Sequence, residues 1–274
     1  MAELASAALT SHILMSPRSV EAQASRVFDG MLKIGRHIRA SKPDVLLIIS
    51  SDHLFNVQLG TTSHFLVGTG PQFTPFGDMD IPREPYIGHP LFADAFVDFA
   101  SARGVSIGRI DPLHPDHGTA VPLLFANPDR DIPVVPLLVN YSCSTVPEPE
   151  ECWQFGQTLA EFIRTMRPAG ERVALIGAGG LSHWVGYAEP RVNEAFDRAF
   201  LSAVEQGALE GWRSRSATEI EREGGNGGLE IMSWLAVLAA TPGARAQIAY
   251  YEPMLAWMTG MGGVVLRLTD AASS

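Results

Sequence analysis

The sequence predicts an α/β fold: a single domain over residues 1–274, built on a central, mostly parallel or mixed sheet flanked by helices. Three observations predict it. Residues 45–49 and 173–176 are unbroken β-prone apolar runs, the pattern of strands buried on both faces. Apolar residues at helical spacing separate such runs, as in Val20, Ala24, Val27, Met31, Ile34 and Ile38. No internal repeat, linker or low-complexity segment divides the 274 residues, a length that one large α/β domain accommodates.

Taken in order, residues 4–9 are the expected first strand, ending in Thr10-Ser11-His12. Ser16-Pro17 has the form of a helix start, with Ser as N-cap and Pro at the first helical position. The run at 45–49 is the second strand and breaks into Ser50-Ser51-Asp52-His53. Residues 55–88 are irregular and rich in Gly, Pro, Thr and aromatics; so long a loop is commonly functional, such as a lid, unless it hides a hairpin. A helix is expected over 89–102, burying Leu91, Phe92, Ala95, Phe96 and Phe99, and then a strand over 105–110. Asp111-Pro-Leu-His-Pro-Asp-His-Gly118 reads as a loop holding His114 and His117, and residues 121–125 as a stretch covering a core face. Residues 132–139 read as a strand whose Pro133 and Pro136 suit only an edge or a bulge.

Trp153, Phe155, Leu159, Phe162, Ile163 and Met166 mark a further helix that ends near Pro168. The strand at 173–176 opens into Gly177-Ala-Gly-Gly-Leu-Ser-His183. The helix after Pro190 is expected to bury Val192, Phe196, Phe200 and Val204. Residues 219–223 read as a solvated connection and 224–228 as a flexible turn. Residues 229–240 are a strongly apolar helix with one charge, Glu230, and residues 248–251 and 264–268 are the last expected strands.

A formal net charge of −10 argues against nucleic acid and anionic membrane as partners, since both select basic patches. No stretch approaches the ~18 apolar residues of a spanning helix. Cys143 and Cys152 make neither a disulfide framework nor a zinc-finger spacing, and the start Met1-Ala-Glu-Leu-Ala lacks the basic opening of a signal peptide. A reducing cytoplasm is the expected setting.

Chemistry gathers at the strand ends, where ligands collect in open α/β sheets. His12, His53 and His183 each follow a short apolar run, and His117 lies in a loop after an expected strand. Any one of them alone is as well explained as a hydrogen-bonded structural histidine; the repeated context favours a shared site. Imidazole is the commonest protein metal ligand and titrates near neutral pH. Glu230 suits a first helical turn on dipole grounds. Beside Ile231, Met232 and Trp234, however, a carboxylate is costly to bury unless something cationic meets it. Two histidines and one carboxylate make the facial triad of non-haem Fe(II) oxygenases.

An ordered set of segments spans nearly the whole chain: Ser11-His12, Ser51-Asp-His-Leu-Phe-Asn56, Asp116-His-Gly-Thr-Ala-Val-Pro-Leu123, Gly179-Gly-Leu-Ser-His183, Asn226-Gly-Gly-Leu-Glu-Ile-Met-Ser-Trp-Leu235 and Glu252-Pro-Met-Leu-Ala-Trp-Met-Thr-Gly-Met-Gly262. In this it resembles the class III extradiol ring-cleavage dioxygenases, the group of the protocatechuate 4,5-dioxygenase beta chain. The resemblance implies that Fe(II) is bound by His12, His53 and Glu230, that His183 is the acid/base, and that His117 is a second active-site histidine. His114 is the rival of His117, and Glu252 the rival carboxylate. The implied reaction opens a catechol-type aromatic diol with O2 to a muconic semialdehyde-type product. The implied partners are that diol and O2, with either a homo-oligomer or a separate small helical subunit. The segments at 55–88 and 250–261 are the expected pocket walls. Competing readings are a zinc hydrolase, a non-catalytic relative of the same fold, and a dinucleotide-binding protein using Gly177-Ala-Gly-Gly with Asp197.

Overall fold

The computed structural model of the chain describes residues 1–269, so the last five residues of the expected domain lie outside it. The first half runs β1 (Glu3–Thr10), α1 (Glu21–Ala40), β2 (Val45–Ser51), β3 (Phe65–Gly68), β4 (Gln72–Phe73), β5 (Tyr86–Ile87), α2 (Pro90–Ser101), β6 (Ile107–Ile110), α3 (His117–Ala126) and β7 (Val134–Val139). The second half runs α4 (Pro149–Met166), β8 (Arg172–Ala178), α5 (Glu194–Gln206), α6 (Glu210–Arg213), α7 (Ala217–Gly224), α8 (Ile231–Ala240), β9 (Arg245–Met254) and β10 (Thr259–Arg267).

Eight strands form one mixed sheet in the order β6-β3-β7-β2-β8-β1-β10-β9, and β4 pairs with β5 in a separate ribbon. The central four, β7, β2, β8 and β1, are mutually parallel. β3 and β10 run antiparallel to the outer members of that set. Both faces are covered, which is why every residue of β2 is buried and residues 45–49 are continuously apolar. One core lies under α2, α4, α5 and α8 and includes Phe96, Phe155, Phe162, Phe200 and Trp234. The other lies under α1 and α3 and includes Val27, Ile34, Ile48, Val121 and Ile176. No helix among the described residues is long and apolar enough to cross a membrane.

Several expectations are corrected. Ser16-Pro17 opens a turn, with Val20 N donating to Pro17 O, and α1 starts only at Glu21. Residues 55–88 are not one loop: they contribute β3 to the main sheet and the β4–β5 ribbon. Leu91 is 79% exposed and Ala95 is exposed, because α2 turns Phe92, Phe96 and Phe99 to the core instead. Met166, at the end of α4, is likewise exposed.

His117 begins a helix and does not sit in a loop; Asp116 is its N-cap, accepting from Gly118 N. β7 is an interior strand despite Pro136. Leu46 N donates to Pro133 O, so by alternation Pro136 faces the β3 side, where β3 pairs only with residues 137–139 and no ladder bond is lost. Residues 219–223 belong to α7, which opens on a capping box between Ser216 and Glu219. The glycines after α7 are largely buried at the site described next.

Candidate functional site

Three adjacent parallel strands decide where the site lies. β2, β8 and β1 are neighbours, and the chain leaves their carboxyl ends at Asp52, Gly179 and Ser11. His53, His183 and His12 follow within a few residues, so strands distant in sequence deliver three imidazoles to one end of the sheet. Glu230 arrives from the opposite side as the N-cap residue of α8, and its side chain does not cap that helix. His117 enters at the first residue of α3.

Glu230 is 4% exposed and is the common partner. Its Oε1 accepts from Ser51 Oγ at 2.7 Å and lies 3.1 Å from His53 Nε2. Its Oε2 accepts from Gly180 N at 2.8 Å and lies 3.4 Å from His12 Nε2 and 3.9 Å from His183 Nε2. Burial alone would raise the Glu230 carboxyl; the neighbouring imidazoles, first His12 and then the hydrogen-bonded His53, outweigh it and hold the group well below the usual carboxylate range.

Burial lowers His12 to about 3, so its imidazole is neutral, with a lone pair available to a cation. Burial also depresses His53, but hydrogen bonds to Asp116 and Glu230 prevail and raise it to about 10. His53 N donates to Asp116 Oδ2 at 2.7 Å, and its Nδ1 lies 3.0 Å from the same oxygen. A carboxylate on the far nitrogen is the usual arrangement for a metal-binding imidazole.

A divalent cation fits this donor set. Among the described residues neither nitrogen of the buried His12 has a hydrogen-bond partner, an arrangement that is expensive unless an ion meets the ring. His12, His53 and His117 also present nitrogens within 4.8 Å of one another. The His53 and His117 rings stack at 3.9 Å. Two ligand sets therefore overlap, two imidazoles with Glu230 or three imidazoles. His117 Nδ1 is engaged by Asp78 Oδ2 at 2.5 Å. His183 Nδ1 lies 2.8 Å from Leu181 O; a carbonyl only accepts, so Nδ1 carries the proton and Nε2 is left free. Gly227 packs against that ring: a Cβ there would fall 1.9 Å from His183 Nε2, so only glycine leaves the imidazole room.

Residues 6–262, which include every site residue named above, match the family described as the catalytic LigB subunit of aromatic ring-opening dioxygenase. The chain belongs to this family. It is 23% identical, over an alignment of 296 residues, to the 2,3-dihydroxyphenylpropionate/2,3-dihydroxicinnamic acid 1,2-dioxygenase of Photorhabdus laumondii, covering 90% of this chain and 91% of that one. It is 23% identical over 283 residues to the protein of the same name from Klebsiella pneumoniae, covering 84% and 87%. The crystal structure of an uncharacterized protein from Escherichia coli K12 matches with a TM-score of 0.60 at 18% identity, over 95% of this chain and 98% of that one, a likeness of fold.

Within this ring-opening dioxygenase the rival residues fall elsewhere. Glu252 pairs with Arg26 on the surface. His114 is exposed, with Nδ1 3.1 Å from Thr74 O. The glycines after β8 open no helix, and Asp197 is wholly buried, accepting from Ser182 N at 2.8 Å and from Tyr251 Oη at 2.9 Å, so it is not available to a ribose. Sequence reasoning did not assign Ser51, Asp116 or Asp78 to the site. The first two lay inside motifs already singled out, within two residues of the histidines; Asp78 carried no signal at all.

Asp197 ties the loop bearing His183 to β9, and burial raises its carboxyl to about 6. The native state therefore binds this proton more tightly than the unfolded chain does. The associated stability is present below about pH 4 and is lost as pH rises through 6. From pH 4 to 7 the wild type should lose about 2 kcal/mol relative to Asp197→Asn, at ~1.4 kcal/mol per unit. Denaturant melts of both proteins across that range check this; a constant difference between them would contradict it.

Proposed function

We propose that residues 1–274 act as one catalytic domain, a ferrous extradiol dioxygenase that opens a catechol-type vicinal diol with O2 to a muconic semialdehyde-type product. The observation that carries the reading is the buried Glu230 carboxylate with His12 Nε2 at 3.4 Å and His53 Nε2 at 3.1 Å. Those three residues would hold Fe(II), a two-imidazole, one-carboxylate set that leaves positions open for the diol and O2. When bound, the ferrous ion supplies the redox chemistry that joins O2 to the ring.

The protein's own residues manage orientation, water and protons. His183 Nε2, free because Nδ1 donates to Leu181 O, takes a proton from a diol hydroxyl and returns it during ring opening. His117 faces the same space and holds the diol, its Nε2 accepting from a substrate hydroxyl. Asp116 and Ser51 keep His53 and Glu230 in place. Burial of His12 and Glu230 excludes bulk water and strengthens each of these interactions.

Leu54, Leu59, Val185, Tyr187 and Leu255, on the loops that carry or adjoin these histidines, are exposed apolar side chains. This supports a covering chain over the mouth, a second copy or a separate small helical subunit. Three imidazoles are also a zinc donor set, which favours a hydrolase as the second reading. One experiment separates the two: anaerobic Fe(II) loading, then a panel of substituted catechols followed by O2 uptake and the yellow absorbance of ring-opened product. Stoichiometric O2 consumption with iron alone is expected. Ester hydrolysis with zinc and no O2 uptake with iron would overturn the assignment.

A further inference from the structure

We infer that Asp78 is a positioning residue for ring opening, holding His117 so that Nε2, and not Nδ1, is presented to the bound diol. The inference rests on the dioxygenase reading above and on His117 as its second histidine. Asp78 Oδ2 lies 2.5 Å from His117 Nδ1 and accepts from His117 N at 3.2 Å. An ionised carboxylate only accepts, so the ring proton is drawn to Nδ1 and the lone pair of the neutral ring is left on Nε2.

Among the described residues the Asp78 side chain has no hydrogen-bond partner other than His117. Its second oxygen, Oδ1, is buried without a partner among the described residues. Asp116 makes the equivalent contact to His53, but it also caps α3 and so has a structural task of its own. Asp78 also accepts from the first backbone N–H of α3, so both of its side-chain contacts among the described residues fall on His117. It sits on a single 3-10 turn, Asp78–Asp80, entered through Gly77 at φ 89°. Met79 and Asp80 follow at φ 51° and 59°, left-handed values that non-glycine residues rarely take. Residues held in such conformations cluster at functional sites, where surrounding structure over-determines them.

Here two contacts do so. Phe76 N donates to Pro115 O, beside the His117 segment, and the Phe76 ring lies 4.1 Å from Phe55, two residues after His53. The turn is therefore clamped between the chains that carry the two stacked histidines, and its carboxylate is delivered to the outer nitrogen of one of them.

The test uses Asp78→Asn, which keeps shape and removes charge, and Asp78→Glu as the conservative variant. Nitrogen-15 histidine spectra of the metal-free full-length protein should show the Nδ1–H form of His117 in the wild type, and the Nε2–H form gaining ground in Asp78→Asn. In the Fe(II)-loaded enzyme, kcat should fall about 10- to 100-fold, with KM for the diol and iron content unchanged, and Asp78→Glu should recover part of it. An unchanged tautomer, a wild-type kcat, or a loss of activity matched by loss of iron would each overturn the inference. If the wild type opens no diol, the reaction assignment has failed, and the tautomer spectra alone still decide whether Asp78 holds His117.

Discussion

Glu230→Ala is expected to yield a protein that holds no iron and opens no ring. Losing an outer partner of a metal ligand typically costs about 10- to 100-fold in affinity or activity. Losing the only anion of a three-residue set should cost more, since the remaining ligands, His12 and His53, bring no negative charge to the metal. The same substitution strands Ser51 Oγ and Gly180 N, which both donate to Glu230, and each buried donor left unmade costs roughly 1–3 kcal/mol. A lower melting temperature is therefore expected and would by itself say little. Glu230→Gln removes the charge and retains an acceptor; it should melt closer to the wild type and still bind little iron. Metal analysis, thermal melts and O2 uptake on both variants check this. Normal iron content and turnover in Glu230→Gln would remove the carboxylate from the metal site.

His183→Gln should behave in the opposite way: iron retained, chemistry lost. His183 Nε2 lies 3.9 Å from Glu230, farther than the nitrogens of His12 and His53, and its ring is fixed by Leu181 O and the bare face of Gly227. A positioned acid/base typically contributes 10²- to 10⁴-fold, so kcat should drop about that much while the iron content stays at the wild-type level. The drop should be steeper for diols with a high first pKa, which rely most on a base. Iron loss equal to the activity loss would make His183 a ligand instead.

Much of this centre was legible from the chain alone. The apolar run before Ser50-Ser51-Asp52-His53 announces a buried parallel strand whose end is chemically active, and β2 is that strand. Glu230 was marked by its isolation on a greasy helix. The elements that were misread share a cause. α7 exposes most of a charged sequence and is held by its capping box and by Ala217, Ile220 and Gly224 facing inward, too few apolar positions for a periodic signal. Pro136 was misjudged because the rule against proline in interior strands concerns one backbone donor, and which neighbour that donor would face is invisible locally. Asp78 lies 39 residues before the histidine it contacts, inside text without periodicity.

The sequence by itself determined which side chains are chemically eligible and that they stand at strand ends, because residue type and short-range period are local properties. Only the tertiary structure decided that they meet. The order β2-β8-β1 brings the exits of three distant segments side by side, and the approach of α8 sets a carboxylate against them. Strand order arises from pairing between remote parts of the chain, and no window along the sequence contains both partners.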